Sequence, residues 1–159
     1  MKPNRKEILE NKLRTIVRQV LNENYVTIMG KKYEYHKTVK SIDLKPGDIF
    51  AASYRNNGNR EDICKFIGVT DDSTQYGEQY ERKKIVAYKT VRECLQDNGV
   101  RSLKALEEKQ DKNEYGYHSY MIVENVEDQQ SGAWYYVYNG SWCRGSGADK
   151  LSFTLLKQI

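Results

Sequence analysis

Two periods of apolar residues run along this chain. Near the N-terminus, Leu9, Leu13, Ile16, Val17 and Val20 recur every three or four positions, which predicts a helix with one apolar stripe. Arg14 and Arg18 lie across from that stripe, Asn4 and Glu7 fit a capping box, and Glu10 sits four residues before Arg14 for an ion pair. Asn22-Glu23-Asn24 closes the segment. From Tyr25 onward the period drops to that of strands.

Tyr25 to Met29 and Tyr33 to Val39 flank Gly30-Lys31-Lys32 as an expected hairpin. Lys45-Pro46-Gly47-Asp48 is a turn signal, because proline presets one torsion and glycine allows the next. It leads into a strand from Ile49 to Tyr54. A polar loop over Arg55 to Glu61 precedes a strand from Ile63 to Val69, and a second polar loop over Asp71 to Glu81 precedes one from Lys84 to Val91. Helical character follows in Thr90 to Asp97, stopped by Asn98-Gly99, and in Leu103 to Lys109 after Ser102 as N-cap. Strands resume at Tyr117 to Val126. Ala133 to Tyr138 and Ser141 to Arg144 surround Asn139-Gly140, a dipeptide suited to a two-residue hairpin turn, and Leu151 to Leu156 supplies the last strand.

The expected fold class is therefore α+β, with an amphipathic basic helix over residues 1–24 and a mainly antiparallel β domain over residues 25–159. A short helical insertion interrupts the β domain near residues 91–110. The β-rich part, with Leu44-Lys45-Pro46-Gly47-Asp48-Ile49-Phe50 opening a strand, is similar in style to small SH3-like barrels, and a sandwich is the other architecture that fits.

Composition narrows the function classes. A chain of 159 residues suits one core, and its 38% hydrophobic share, rich in tyrosine, valine and isoleucine, is that of a folded protein. No apolar run approaches membrane-spanning length, and the first residues lack the apolar stretch of a signal peptide, so the chain is expected to remain where it is made, without a membrane partner. The net charge of +4 gathers in residues 1–24 and 81–112, the second of which includes Lys83 and Lys84.

Catalytic and metal chemistry find no foothold. Cys64, Cys94 and Cys143 are odd in number and widely spaced, which predicts reduced, buried thiols in place of a disulfide framework or zinc knuckle. His36 and His118 have no second ligand at metal-site spacing, so no metal and no cofactor are expected. Gly145-Ser146-Gly147-Ala148-Asp149 lacks the spacing of a nucleophile elbow and the Lys-Ser/Thr ending of a phosphate loop, and reads as a turn.

Tyrosine is the unusual feature, with thirteen in the chain. If Asn139-Gly140 sets the register, Tyr138 lies opposite Ser141 and Val137 opposite Trp142, and Tyr135, Val137, Trp142 and Arg144 share one face. Trp134, Tyr136, Tyr138 and Cys143 share the other. The pattern leaves open which face is core, or whether both are covered.

The segment Leu13-Arg14-Thr15-Ile16-Val17-Arg18-Gln19-Val20-Leu21-Asn22-Glu23 resembles the short N-terminal helix of many small proteins of large tailed bacteriophages, including crass-like gut phages. That resemblance implies a virion accessory or assembly protein, or a small early protein acting on host machinery, found in the virion or the host cytoplasm, with capsid or tail components among the partners it suggests. The resulting expectation is a non-enzymatic binding or assembly protein that docks on a protein partner. Its contacts would come from the helix stripe of Leu9, Leu13, Ile16, Val17 and Val20, or from the strand face of Tyr135, Trp142 and Arg144. The alternative is a small nucleic-acid-binding module, with aromatics stacking bases and Arg14, Arg18, Lys83 and Lys84 as its basic patch.

Overall fold

The computed structural model describes residues 5–6, 9–11, 24–70, 86–109, 119–145 and 147–159. In chain order its elements are β1 (Tyr25–Ile28), β2 (Lys31–Val39), a 3-10 turn (Ser41–Asp43), β3 (Ile49–Tyr54), β4 (Asn57–Thr70), α1 (Val91–Asp97), α2 (Leu103–Lys109), β5 (Tyr120–Asn125), β6 (Ser131–Tyr138), β7 (Ser141–Arg144) and β8 (Asp149–Gln158). Among the described residues the eight strands form one sheet, antiparallel at every pairing, in the order β1-β2-β8-β3-β4-β5-β6-β7.

One further pairing closes that sheet. β8 is long enough to serve three partners: Asp149 and Lys150 pair with β7, Leu151 to Leu155 pair with β3, and Phe153 to Gln158 pair with β2. Strands β3 to β8 thus follow one another up and down around a ring, and the β1–β2 hairpin extends the sheet from β8. A closed sheet leaves few unpaired edges, which guards against edge-to-edge association.

The ring has two distinct ends. The β3–β4, β5–β6 and β7–β8 turns gather at one of them, called the mouth below. At the other end the 3-10 turn and the β6–β7 turn lie beside α1 and α2. Both helices contribute to the core inside the ring, where Val91, Cys94, Leu95 and Leu106 join Phe50, Phe66, Val123, Tyr135, Trp142 and Phe153. Burying each such side chain stabilises the fold by about 1.5 to 3 kcal/mol. A second apolar cluster lies on the other sheet face and combines Val26, Ile28, Tyr33 and Tyr35 of the hairpin with Ala51, Ile63 and Leu156. A third holds Tyr120, Ile122, Ala133, Tyr136 and Cys143.

Local chemistry accounts for the helical insertion. Thr90 caps α1 by accepting a hydrogen bond from the Glu93 amide, Glu93 in turn accepts from the Lys89 amide, and Gly99 follows at φ +68°. α2 starts at Ser102, whose hydroxyl accepts from the Ala105 amide. The Glu107 carboxylate then reaches across to accept from the amides of Asn139 and Gly140, tying α2 to the β6–β7 turn. That turn has positive φ at both residues, 54° and 76°, as its sequence requires. The pairs Val137–Trp142 and Tyr138–Ser141 form as the pattern predicts.

Three expectations need correction. The first hairpin turns at Met29-Gly30, both with positive φ, so that β2 begins at Lys31 and Lys31 and Lys32 are strand residues. The polar stretch Arg55 to Glu61 is mostly strand, because a two-residue turn at Arg55-Asn56 places Tyr54 opposite Asn57 and extends β4 back to the mouth. The strand expected at Lys84 to Val91 is, in its described part, a single bridge between Tyr88 and Val69, since the Thr90 cap starts a helix at Val91. As for the N-terminal helix, Leu9 is helical and exposed, while Leu13, Arg14, Ile16, Val17, Arg18 and Val20 lie outside the described residues.

Candidate functional site

Two charged clusters stand at opposite ends of the ring. At the mouth, alternation along β3, β4 and β7 turns Tyr54, Asp62 and Arg144 inward, on the same face as the core residues Phe50, Cys64 and Trp142. One Asp62 carboxylate oxygen accepts from the Arg144 guanidinium at 2.8 Å, from the Tyr54 hydroxyl at 2.5 Å and from the Tyr135 hydroxyl at 3.4 Å. Arg144 also donates to the Tyr54 oxygen at 3.1 Å, and the Cys64 thiol lies 3.3 Å from the Tyr135 hydroxyl.

A bulge adds an aromatic wall. Ile122 pairs with Ala133 while Met121 pairs with Tyr135, so Trp134 is an extra residue on β6. An extra residue breaks strict alternation. Trp134 accordingly packs against the interior cluster and lies beneath the Arg144 guanidinium, whose carbon is 5.1 Å from its ring centroid.

Electrostatics seal this cluster. Burial first, and then the Asp62 carboxylate, push the Cys64 thiol up to about 12. The same two causes raise the Tyr54 hydroxyl above its ordinary range, and burial, then the Cys64 and Asp62 groups, raise that of Tyr135. Burial opposes the Arg144 charge, yet Tyr54 and Asp62 outweigh it, so the guanidinium holds its proton more tightly than usual. Cys64 is thus a thiol at neutral pH and a poor nucleophile, and neither tyrosine offers an anion. The carboxylate and guanidinium are committed to one another.

The second cluster is open. A shallow groove of about 560 Å³ lies between β2, β8, the 3-10 turn and α1. Its floor is aliphatic, from Val39, Ile42, Leu44 and Leu155, and its rim carries Lys37, Lys45 and Arg92 with Asp43 and Asp48. A bulge builds this site too. Tyr35 pairs with Leu156 and Lys37 with Leu155, so His36 is an extra residue, and Lys37 and Val39 fall on the face of Leu155 and Phe153 instead of that of Tyr35.

The acids of the groove are engaged locally. Asp43 pairs with Arg92 at 3.0 Å, and Asp48 accepts from the Lys45 amide at 2.9 Å within its own turn. Lys37 and Lys45 are exposed, and their ammonium groups have no ion-pair partner among the described residues.

Residues singled out by the sequence are distributed unevenly. Tyr135 and Trp142, expected on a partner-binding face, are buried in the chain's own core at 0% and 3% exposure, which corrects that placement. Arg144 shares their face but sits at the mouth, bound to Asp62. On the opposite face Tyr136 and Cys143 are also buried and Tyr138 is exposed, so both faces of the hairpin are largely covered. Leu9 is not brought together with them, and Leu13, Ile16, Val17, Val20, Arg14, Arg18, Lys83 and Lys84 fall outside the described residues. Sequence reasoning missed Tyr54, Asp62, Lys37, Ile42 and Arg92. The Leu44 to Phe50 turn was the one local signal near the groove.

Cys64, Cys94 and Cys143 are buried thiols in no disulfide. Among the described residues no three metal-ligating side chains converge, and no helix is long and apolar enough to cross a membrane. Compared with known proteins, the chain matches no family model, no curated protein and no solved structure.

Proposed function

We propose that this chain is a non-enzymatic binding or assembly protein that docks on a protein partner. The observation that carries the reading is the groove beside α1, where an aliphatic floor lies open under lysines that have no ion-pair partner among the described residues. Apolar anchors with a polar rim are the usual anatomy of a protein contact. The mouth supports the same reading, because burial keeps the Cys64 thiol and the Tyr54 and Tyr135 hydroxyls protonated, which makes them poor nucleophiles and bases. A phage particle is the setting implied by the resemblance of residues 13–23.

Base stacking has less support. Three aromatics lie against the chain's own cations: Lys32 lies 3.7 Å over the ring of Tyr25, Arg60 lies 4.5 Å over Tyr54, and Arg144 lies 5.1 Å over Trp134. Copurification of the tagged protein from its native lysate, with and without nuclease, tests the reading. A protein partner retained after nuclease is the expected result. Recovery that disappears with nuclease would favour the nucleic-acid alternative.

A further inference from the structure

We infer that the groove between β2, β8 and α1 receives an acidic peptide segment with aliphatic anchors, presented by the partner protein. This inference rests on the protein-binding reading above and names what the partner must offer.

The chemistry of the groove selects that occupant. Val39, Ile42 and Leu155 are each partly buried, so they retain apolar surface that a partner can cover. A volume of about 560 Å³ admits a few side chains, which suits anchors from a short segment. Lys37 and Lys45 stand over this floor as exposed cations with no ion-pair partner among the described residues, while Asp43 pairs with Arg92 and Asp48 accepts from a backbone amide. The described rim carries three cations, Lys37, Lys45 and Arg92, against two carboxylates, Asp43 and Asp48, so a carboxylate on the incoming segment meets a net positive rim. Nucleic acid would find the cations but no aromatic platform among the described lining residues.

Complementary charge here sets orientation and encounter rate more than affinity, so binding should weaken with salt without vanishing. The aliphatic floor supplies the remainder. Both features can be separated with a synthetic probe.

The test uses the full chain and a fluorescently labelled peptide in which Asp and Glu alternate with Leu and Ile. Controls are the same peptide with Asn and Gln for the acids, and an oligothymidylate. Binding is read by anisotropy and mapped by amide chemical shifts. The acidic peptide should bind with shifts centred on Lys37, Val39, Ile42 and Arg92, and more tightly than its neutral control. Lys37→Glu with Lys45→Glu should weaken it at least about tenfold, an effect of about 1.4 kcal/mol. Lys31→Glu with Lys157→Glu makes the same charge change on exposed residues of β2 and β8 and should leave binding within about twofold. Circular dichroism checks that both double variants are folded.

Equal weakening by the two pairs, or shifts centred elsewhere, would overturn the groove assignment while leaving a protein-binding role intact. Oligothymidylate binding at the groove in place of the peptide would overturn both readings. Absence of any shift at the groove with the peptide in excess would overturn the inference.

Discussion

The two ends of the ring carry similar kinds of side chain and put them to opposite use. At the mouth, Asp62 and Arg144 face inward and satisfy one another, with Tyr54 and Tyr135 supplying the remaining hydrogen bonds. Beside α1, Lys37 and Lys45 face outward over apolar floor, and the nearby acids are occupied by other groups. Burial makes the difference. Asp62 is 12% exposed, whereas Asp43 and Arg92 are each 54% exposed at the side chain. Charges removed from water must be paired to be tolerated, whereas charges left in water are free to recruit. Charge pairs therefore need to be judged by what surrounds them before they are read as sites.

The sharpest way to break this comparison is to remove Asp62. Asp62→Ala leaves Arg144 and two tyrosine hydroxyls without their shared acceptor, and should destabilise the chain by about 3 kcal/mol in a denaturant titration. A loss below about 1 kcal/mol would show that the mouth behaves like a surface ion pair.

Alkaline pH offers a second, smaller lever. The folded-state value of Cys64 lies above its ordinary value of 9.0, so the neutral thiol contributes stability that is fully present below about pH 9. That contribution is lost as pH rises toward about 12. Tyr54 and Tyr135 are raised in the same sense, and their loss begins near their ordinary value of 10.0. Each group should lower stability by about 1.4 kcal/mol per pH unit in its window. Denaturant midpoints between about pH 8 and pH 11 should fall accordingly, and Cys64→Ala should make the fall above about pH 9 shallower without moving its onset, because burial raises the Cys143 thiol from the same ordinary value. A flat profile would mean that these groups are more accessible to water than their burial implies.

The smallest expected effect sits at the groove. Arg92→Ala removes an exposed ion pair and should change stability by less than about 0.5 kcal/mol, measured in the same way. A loss several times larger would make the groove rim a structural element and blur the contrast between the two ends.

These contrasts were only partly legible in the sequence. Asn139-Gly140 gave its hairpin register because the required torsions belong to two adjacent residues, and Thr90, Ser102 and Gly99 marked the insertion for the same local reason. The Asp62–Arg144 pair spans 82 positions and depends on which strands become neighbours, which no local rule supplies. The groove depends on a single extra residue, His36, that reverses the facing of Lys37 and Val39. Strict alternation would have put Lys37 beside Tyr35, on the face of the second apolar cluster. The aromatic face at Tyr135 and Trp142 is ambiguous in the sequence for a related reason, since period two locates a face without saying what covers it.

The triple pairing of β8 bears on how the chain is made. Its partners β2, β3 and β7 all precede it, so a chain emerging from the ribosome can form local hairpins but exposes three receptive strand edges until residues 149–158 arrive. Ring closure also joins segments about a hundred residues apart, a contact pattern associated with slow folding. Chaperone dependence during synthesis, and precipitation of a product cut before β8, are the outcomes expected of a fold that β8 fastens.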